Sequence, residues 1–336
     1  MPGRLLAMLF VGFWAVPTVA DDETPDANVP QVEPRAPKDD DDLKYWLTNL
    51  IGFHRFSIEE SAAATGLTVA EIESACERFE LDPTRPAVWE ASDRLHMLPY
   101  PGGRHPRIGF LEGAIRPQRE TKVSVFTPWQ PEDRSRADYV VVDAPEAIWS
   151  NLGLTYLAHT HVPTIWTQQG VELEPLEWNR AADGRLDLSR ELPNGITFTS
   201  RVVPRTDHVF MEMTLTNGTD ATLRDLRVQN CVMLKGAEGF QQQTNENKHI
   251  DGPTIACHDE SGRRWIITAW RPTHRAWANE RCPCLHSDPQ FEDCPPGETR
   301  TVRGRLWFYE GTDIDAEIDR VEATAWWQPD DETPDR

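Results

Sequence analysis

The chain has 336 residues, and 55 acids against 34 lysines and arginines give it a formal charge of −21. A surface this acidic repels the phosphates of nucleic acid and of anionic lipid, so neither is an expected partner. No G-x-S-x-G, Walker loop, dinucleotide fingerprint or HExxH occurs, which removes the usual sequence support for those reaction classes.

At the N-terminus, Arg4 precedes a continuous apolar run from Leu5 to Val16, and Thr18-Val19-Ala20 ends in a small residue ahead of acids. That is the pattern of a secretory signal peptide over 1–20, cleaved after Ala20; a retained N-terminal anchor is the alternative. Loss of Arg4 takes the charge from −21 to −22. The expectation is a secreted or periplasmic protein with no membrane insertion after signal cleavage. Residues 21–42, rich in acids and proline, have too little apolar surface to offset ordering entropy and read as a disordered acidic linker. The hexamer DDETPD at 21–26 returns at 330–335, inside an acidic tail over 326–336.

Residues 43–90 read as a helical hairpin. "LKYWLTNLIGFHRF" places Leu43, Trp46, Leu47, Leu50 and Ile51 on one helical face. Ser57 with Glu60, and Thr68 with Glu71, have the spacing of capping boxes. The helix–ATGLT–helix phrase resembles helix-turn-helix modules. Behind an export signal in an acidic chain, it is expected to dock on the main domain or on a protein partner.

From 96 to 325 the texture changes to short alternating runs split by Pro, Gly, Asn and Asp. In "HVFMEMTLTN", Val209, Met211, Met213 and Leu215 recur with the period of two that marks a strand. "NGT" at 217–219, followed by "LRDLRVQN", predicts a tight turn and an antiparallel return. Several such runs without long intervening helices predict a mainly β chain, an antiparallel β-sandwich carrying a small N-terminal helical hairpin.

The run "GITFTSRVVPRTDHVFMEMTLTNGTDATLRDLRVQN" resembles the central hairpin of galactose-mutarotase-like sandwiches, and "PPGETRTVRGRLWFYEG" resembles their late PGE strand. The resemblance covers about a third of the chain. It implies a mutarotase-like supersandwich with a sugar-facing concave sheet, an architecture also used by lyases and noncatalytic carbohydrate-binding domains. Those epimerases carry a histidine at the end of the strand that here reads "VQNCVMLKG". No histidine stands there, and Lys235 is the nearest titratable group.

Candidate chemistry is spread over several runs. "LAHTHVPTIW" sets His159 and His161 two apart, so a strand would project both from one face as structural, ligand-contacting or metal-binding histidines. A cupin-like reading finds Gly153 six residues before His159, but Ile165 and Trp166 stand where it needs glutamate. "GVELEPLEWNR" brings Glu177, Trp178 and Arg180 together, a mixture of charge and aromatic suited to a polyol. Gln242, Asn245 and Asn247 offer amides that pair with hydroxyls. Trp166, Trp178 and Trp277 are candidate stacking surfaces. Arg116 belongs to a basic stretch from Arg104 to Lys122 that either forks a uronic acid or pairs with the chain's own carboxylates.

In an oxidising compartment the six cysteines read first as disulfide partners. Cys282 and Cys284 are each expected to reach a different partner among Cys231, Cys257 and Cys294, while Cys76 sits free in a helix. A zinc reading would use Cys282, Cys284, His286 and Cys294, but C-P-C has a one-residue spacer where structural zinc pairs use two to four. No metal and no cofactor are therefore expected.

Together these features predict an exported carbohydrate-recognising sandwich for neutral sugar or uronic acid. As a sugar epimerase, lyase or hydrolase it would use His159, His161 and Glu177 as acid/base groups, with Lys235 stabilising developing negative charge. The alternatives are a noncatalytic structural or partner-binding envelope protein and a histidine-ligated metal enzyme.

Overall fold

The computed structural model describes residues 34–87, 93–102, 104–105, 109–110, 121–129, 136–158 and 162–328. Their strands, in chain order, are β1 (Met97–Pro99), β2 (Arg104–His105), β3 (Gly109–Phe110), β4 (Lys122–Phe126), β5 (Tyr139–Ser150), β6 (Gly153–Leu157), β7 (Asn179–Arg180), β8 (Leu186–Glu191) and β9 (Thr197–Pro204). There follow β10 (His208–Thr216), β11 (Arg227–Met233), β12 (Lys248–Asp251), β13 (Thr254–His258), β14 (Arg264–Arg271), β15 (Thr273–Ala278), β16 (Cys284–Pro289) and β17 (Thr299–Glu310). One sheet runs β1-β4-β5-β11-β16-β15 with β6 added to β5; the other runs β12-β13-β14-β17-β10-β9-β8-β7. Neighbouring strands pair antiparallel in both. The chain is an antiparallel β-sandwich.

The expected alternation builds the core. Val209, Met211, Met213 and Leu215 of β10 are buried against Val140 and Val142 of β5 and Val228 and Val232 of β11. The expected hairpin across the NGT turn does not form. β10 pairs with β9 and β17, whereas β11 lies in the opposite sheet. Buried Asn217 explains the crossing: its Nδ2 donates to Ala221 O and Cys294 O, and its Oδ1 accepts from Thr219 N. The side chain thereby holds the chain in a bend between layers. The apolar face of β11 then fills the same core from the other side.

Each sheet has its outer face partly covered. On the eight-stranded sheet lies α4 (Ile314–Glu322), whose Ile314, Ile318 and Val321 pack on Trp265, Ile267 and Trp307. On the seven-stranded sheet lies the N-terminal module: α1 (Asp40–Leu47), a π-helical segment Thr48–Phe53, α2 (Ile58–Thr65) and α3 (Val69–Phe79). Both expected capping boxes are present, Ser57 with Glu60 and Thr68 with Glu71. The helical part begins earlier than its apolar pattern, because Asp39 caps α1 and three acids fill its first turn, where the helix dipole favours them. The expected linker is thus ordered at its C-terminal end; residues 21–33 of it, the signal segment and the tail from 329 onward lie outside the described residues. No helix among the described residues is long and apolar enough to cross a membrane.

Candidate functional site

The outer face of the seven-stranded sheet carries its polar chemistry. In β4, Val123 and Val125 point into the core, so Lys122, Ser124 and Phe126 point outward. The π-helical turn settles on them: His54 Nε2 meets Ser124 Oγ at 2.7 Å, and His54 Nδ1 meets Asn49 O at 2.9 Å. Complete burial lowers the His54 pKa to about 3, so the ring is neutral, with Nδ1–H donating to Asn49 O and Nε2 accepting from the Ser124 hydroxyl. Lys122 Nζ bonds the Asp143 carboxylate, both groups being buried.

Further along the same face stand Cys231 and Met233 of β11 beside Cys284, His286 and Asp288 of β16. Met233 lies directly across from Cys284 in the ladder. One ligand atom each from Cys231, Cys284 and His286 lies within 4.8 Å of the other two. Cys284 Sγ and His286 Nε2 are 3.2 Å apart, and His286 Nδ1 is 2.8 Å from Asn230 O. Cys282 joins the same buried cluster, its Sγ 3.8 Å from Met233 Sδ. A hydrogen bond with Cys284 pulls the Cys231 thiol down, but burial and the Glu146 and Asp143 carboxylates outweigh it and leave it at about 11. Burial lowers the His286 pKa. Trp277 of β15 stacks on the His286 ring at 3.9 Å and donates to Asp288 Oδ2 at 2.7 Å.

The staple expected of the cysteines is absent: all six are free thiols. Cys257 is buried in the core between the sheets, and the Cys294 thiol donates to Glu298 O. Neither reaches the cluster; of the three partners expected for Cys282 and Cys284, Cys231 is the one that lies beside them.

Other predicted site residues serve the fold. Glu177 accepts from Arg35 Nε at 2.8 Å and Nη2 at 3.2 Å, which commits it to an ion pair. Arg180 lies over the Tyr45 ring at 3.4 Å. The cluster expected to hold a polyol therefore holds the N-terminal module. Trp166 and Trp178 are buried in the core, with indole N–H groups donating to Thr155 O and Lys122 O. They offer no stacking face. Trp277 is no loop platform either: it stands in β15, with His286 stacked on one face and the Arg275 guanidinium 4.9 Å from the ring centre. The buried Asn247 amide donates to Gln242 Oε1, and Asn245 accepts a turn bond from Lys248 N, so much of this loop's polar capacity is satisfied internally. Lys235 is exposed at the end of β11. His159, His161 and Arg116 lie outside the described residues. Of the basic stretch, Arg104 grips Glu60 with two bonds of 2.7 Å, so Arg104 and Lys122 both pair with the chain's own acids.

A separate cleft of about 620 Å³ opens between the N-terminal module and the β1, β4 and β5 ends. Arg55, Arg94, Arg136 and His96 line it together with Trp129 and Phe126. Asp93 and Asp138 are the acids on its wall. Asp138 is held by Thr127 Oγ1 and Glu238 N, and burial raises its pKa. Trp129 is fixed by stacking on Phe240 at 5.7 Å. Sequence reading missed this site because its arginines come from three separate segments. The "CLH" run, by contrast, does set Cys284 and His286 on one strand face, and Cys231, one of the partners expected for the C-P-C cysteines, stands beside them on β11.

No protein-family model and no curated protein sequence matches the chain. Among solved structures it is similar to a heparan sulfate lyase mutant from Pedobacter heparinus, at 8% identity and a TM-score of 0.34 over 84% of this chain and 44% of that one. A protein from Escherichia coli K12, provisionally named an aldose 1-epimerase, matches at 12% identity and a TM-score of 0.30 over 40% of this chain and 69% of that one. A provisionally named kojibiose phosphorylase from the human microbiome matches at 6% identity and a TM-score of 0.32 over 44% of this chain; the present chain spans only about a fifth of it, 21%. Overlaps this loose carry neither family nor activity across. The sandwich is established by the chain's own strand order and register.

Proposed function

We propose that this chain recognises carbohydrate bearing a carboxylate and binds it in the cleft beside β4. The observation that supports this is the lining: Arg94 and Arg136 beside the fixed Trp129 ring, in a space of about 620 Å³, with Arg55 adding its charge while its guanidinium donates to Ile51 O, Pro83 O and Arg85 O. That volume suits one or two sugar rings. Guanidinium groups fork a carboxylate, and an aromatic face covers the apolar side of a sugar ring. With three arginines against Asp93 and Asp138, the wall is locally cationic in a chain of charge −21. Glu177 takes no part in this reading, because it is tied to Arg35. Export belongs to the same reading and is supported by the N-terminal pattern; a mature chain beginning at Asp21, found by N-terminal sequencing, tests it.

The binding test is thermal unfolding of the full chain with uronic oligosaccharides against their neutral counterparts. A ligand at 100 times its Kd adds about 2.7 kcal/mol, which shifts Tm by a few degrees for a chain this size. A uronate-specific rise that Arg94→Gln with Arg136→Gln weakens about tenfold in Kd supports the reading. A flat response to every sugar sinks it and leaves a structural or partner-binding role.

A further inference from the structure

We propose that Cys231, Cys284 and His286, completed by Cys282, bind a zinc ion on the outer face of the seven-stranded sheet. Three donors from two adjacent strands already converge within 4.8 Å. Tetrahedral zinc, with Zn–S of about 2.3 Å and Zn–N of about 2.0 Å, sets neighbouring donors roughly 3.5–3.8 Å apart. The 3.2 Å between Cys284 Sγ and His286 Nε2 needs to open by only a few tenths of an ångström. Cys282 is the remaining thiol of the same buried cluster; its Sγ lies 3.8 Å from Met233 Sδ and has to turn from that methionine to become the fourth donor, across the one-residue C-P-C spacer. Thiolate and imidazole together select zinc over magnesium or calcium, which take oxygen.

The surroundings are built as ligand surroundings are. His286 Nδ1–H donates to Asn230 O, which leaves the Nε2 lone pair aimed at the thiols. Trp277 fixes the plane of the ring by stacking, and Asp288 fixes Trp277 in turn. Asp288 also accepts from Asn230 N, so ligand strand and supporting carbonyl are one hydrogen-bonded unit. On loading, the three thiols lose their protons to solvent, and three thiolates with a neutral imidazole leave the centre at −1. The four donors close the coordination sphere, so the site is structural, and it shields thiols that an oxidising compartment would otherwise attack.

The test is the full chain purified with reductant under inert gas. Elemental analysis should give about one zinc per chain, and exchange into cobalt(II) should give a strong tetrahedral visible spectrum with a thiolate charge-transfer band. Cys284→Ser and His286→Gln should each weaken metal affinity at least tenfold, while Cys76→Ala, in α3, should leave it unchanged. The cobalt spectrum of the unmodified chain decides the matter even if the variants fail to fold. A folded chain that takes up no cobalt, a cobalt spectrum without the thiolate band, or a Cys231–Cys284 disulfide formed in the presence of zinc overturns the proposal.

Discussion

Arg35 holds Glu177 with two parallel hydrogen bonds across 142 positions of sequence. Its guanidinium also donates to Pro101 O and lies 3.9 Å from the centre of the Trp46 ring. Arg35 is 3% exposed, so one buried cation joins the start of the N-terminal module to the sandwich.

Glu177→Gln should therefore act on stability and leave ligand binding alone. Removing the charge of one partner leaves a buried guanidinium without its anion. Glu177 itself keeps a side-chain exposure of 30%, so the cost is about 1–3 kcal/mol, below that of a fully buried pair. Thermal unfolding should show a drop of a few degrees, and uronate affinity should stay within about twofold. A large loss of affinity with unchanged Tm would return Glu177 to the binding site.

His54 makes stability depend on pH. Its folded pKa of about 3 is below the ordinary value of 6.5, so between these the unfolded chain binds more protons. Stability should fall as pH drops through that window, by up to about 1.4 kcal/mol per pH unit, and this group adds no dependence above it. Burial lowers His96 and His208 as well, which adds slope of the same sign. Denaturant titrations from pH 7 to pH 4 should show a shallower decline in His54→Gln. An unchanged slope would mean that this ring takes up its proton without unfolding.

The Lys122–Asp143 pair should be costly to break and cheap to replace. Both side chains are buried beside Cys231, so Lys122→Met leaves a carboxylate without its ammonium, at a cost of about 3–5 kcal/mol. Lys122→Met with Asp143→Leu should recover most of that loss in urea unfolding. A double variant as unstable as the single one would show that Asp143 is needed for something besides its lysine.

Gly304 is a packing requirement of the central strand. A Cβ there would stand 2.3 Å from Cε2 of Trp270, which is itself buried in the core. Gly304→Ala should cost about 1–3 kcal/mol through overpacking between β14 and β17. Paired with Trp270→Phe, which clears space, the alanine should cost less than the sum of the two single changes.

Legibility followed the range of the interactions involved. Capping boxes and the alternation of β10 depend on residues two to four positions apart, so they are readable along the chain. The cysteine centre depends on β11 lying beside β16, and no local pattern encodes that neighbour. The same gap explains Glu177. A carboxylate beside Trp178 and Arg180 has the composition of a sugar site, but its partners are Arg35 and the module that carries Tyr45. The three arginines of the cleft were missed for the same reason. The NGT turn misled differently: Asn-Gly favours a hairpin locally, and the burial of Asn217 between sheets overrides it.

The helical module is the first described part of the chain to be synthesised, yet much of the surface it rests on comes later. His54 waits for Ser124, and Arg35 waits for Glu177. A segment whose partners are this distant has little to hold it until the sandwich has closed. Pulse-labelled hydrogen exchange during refolding should protect the amides of β9 and β10 before those of Asn49 to Phe56. Synthesis and assembly would then run in opposite directions along this polypeptide, and the segment made early would act as the final seal on a finished sheet.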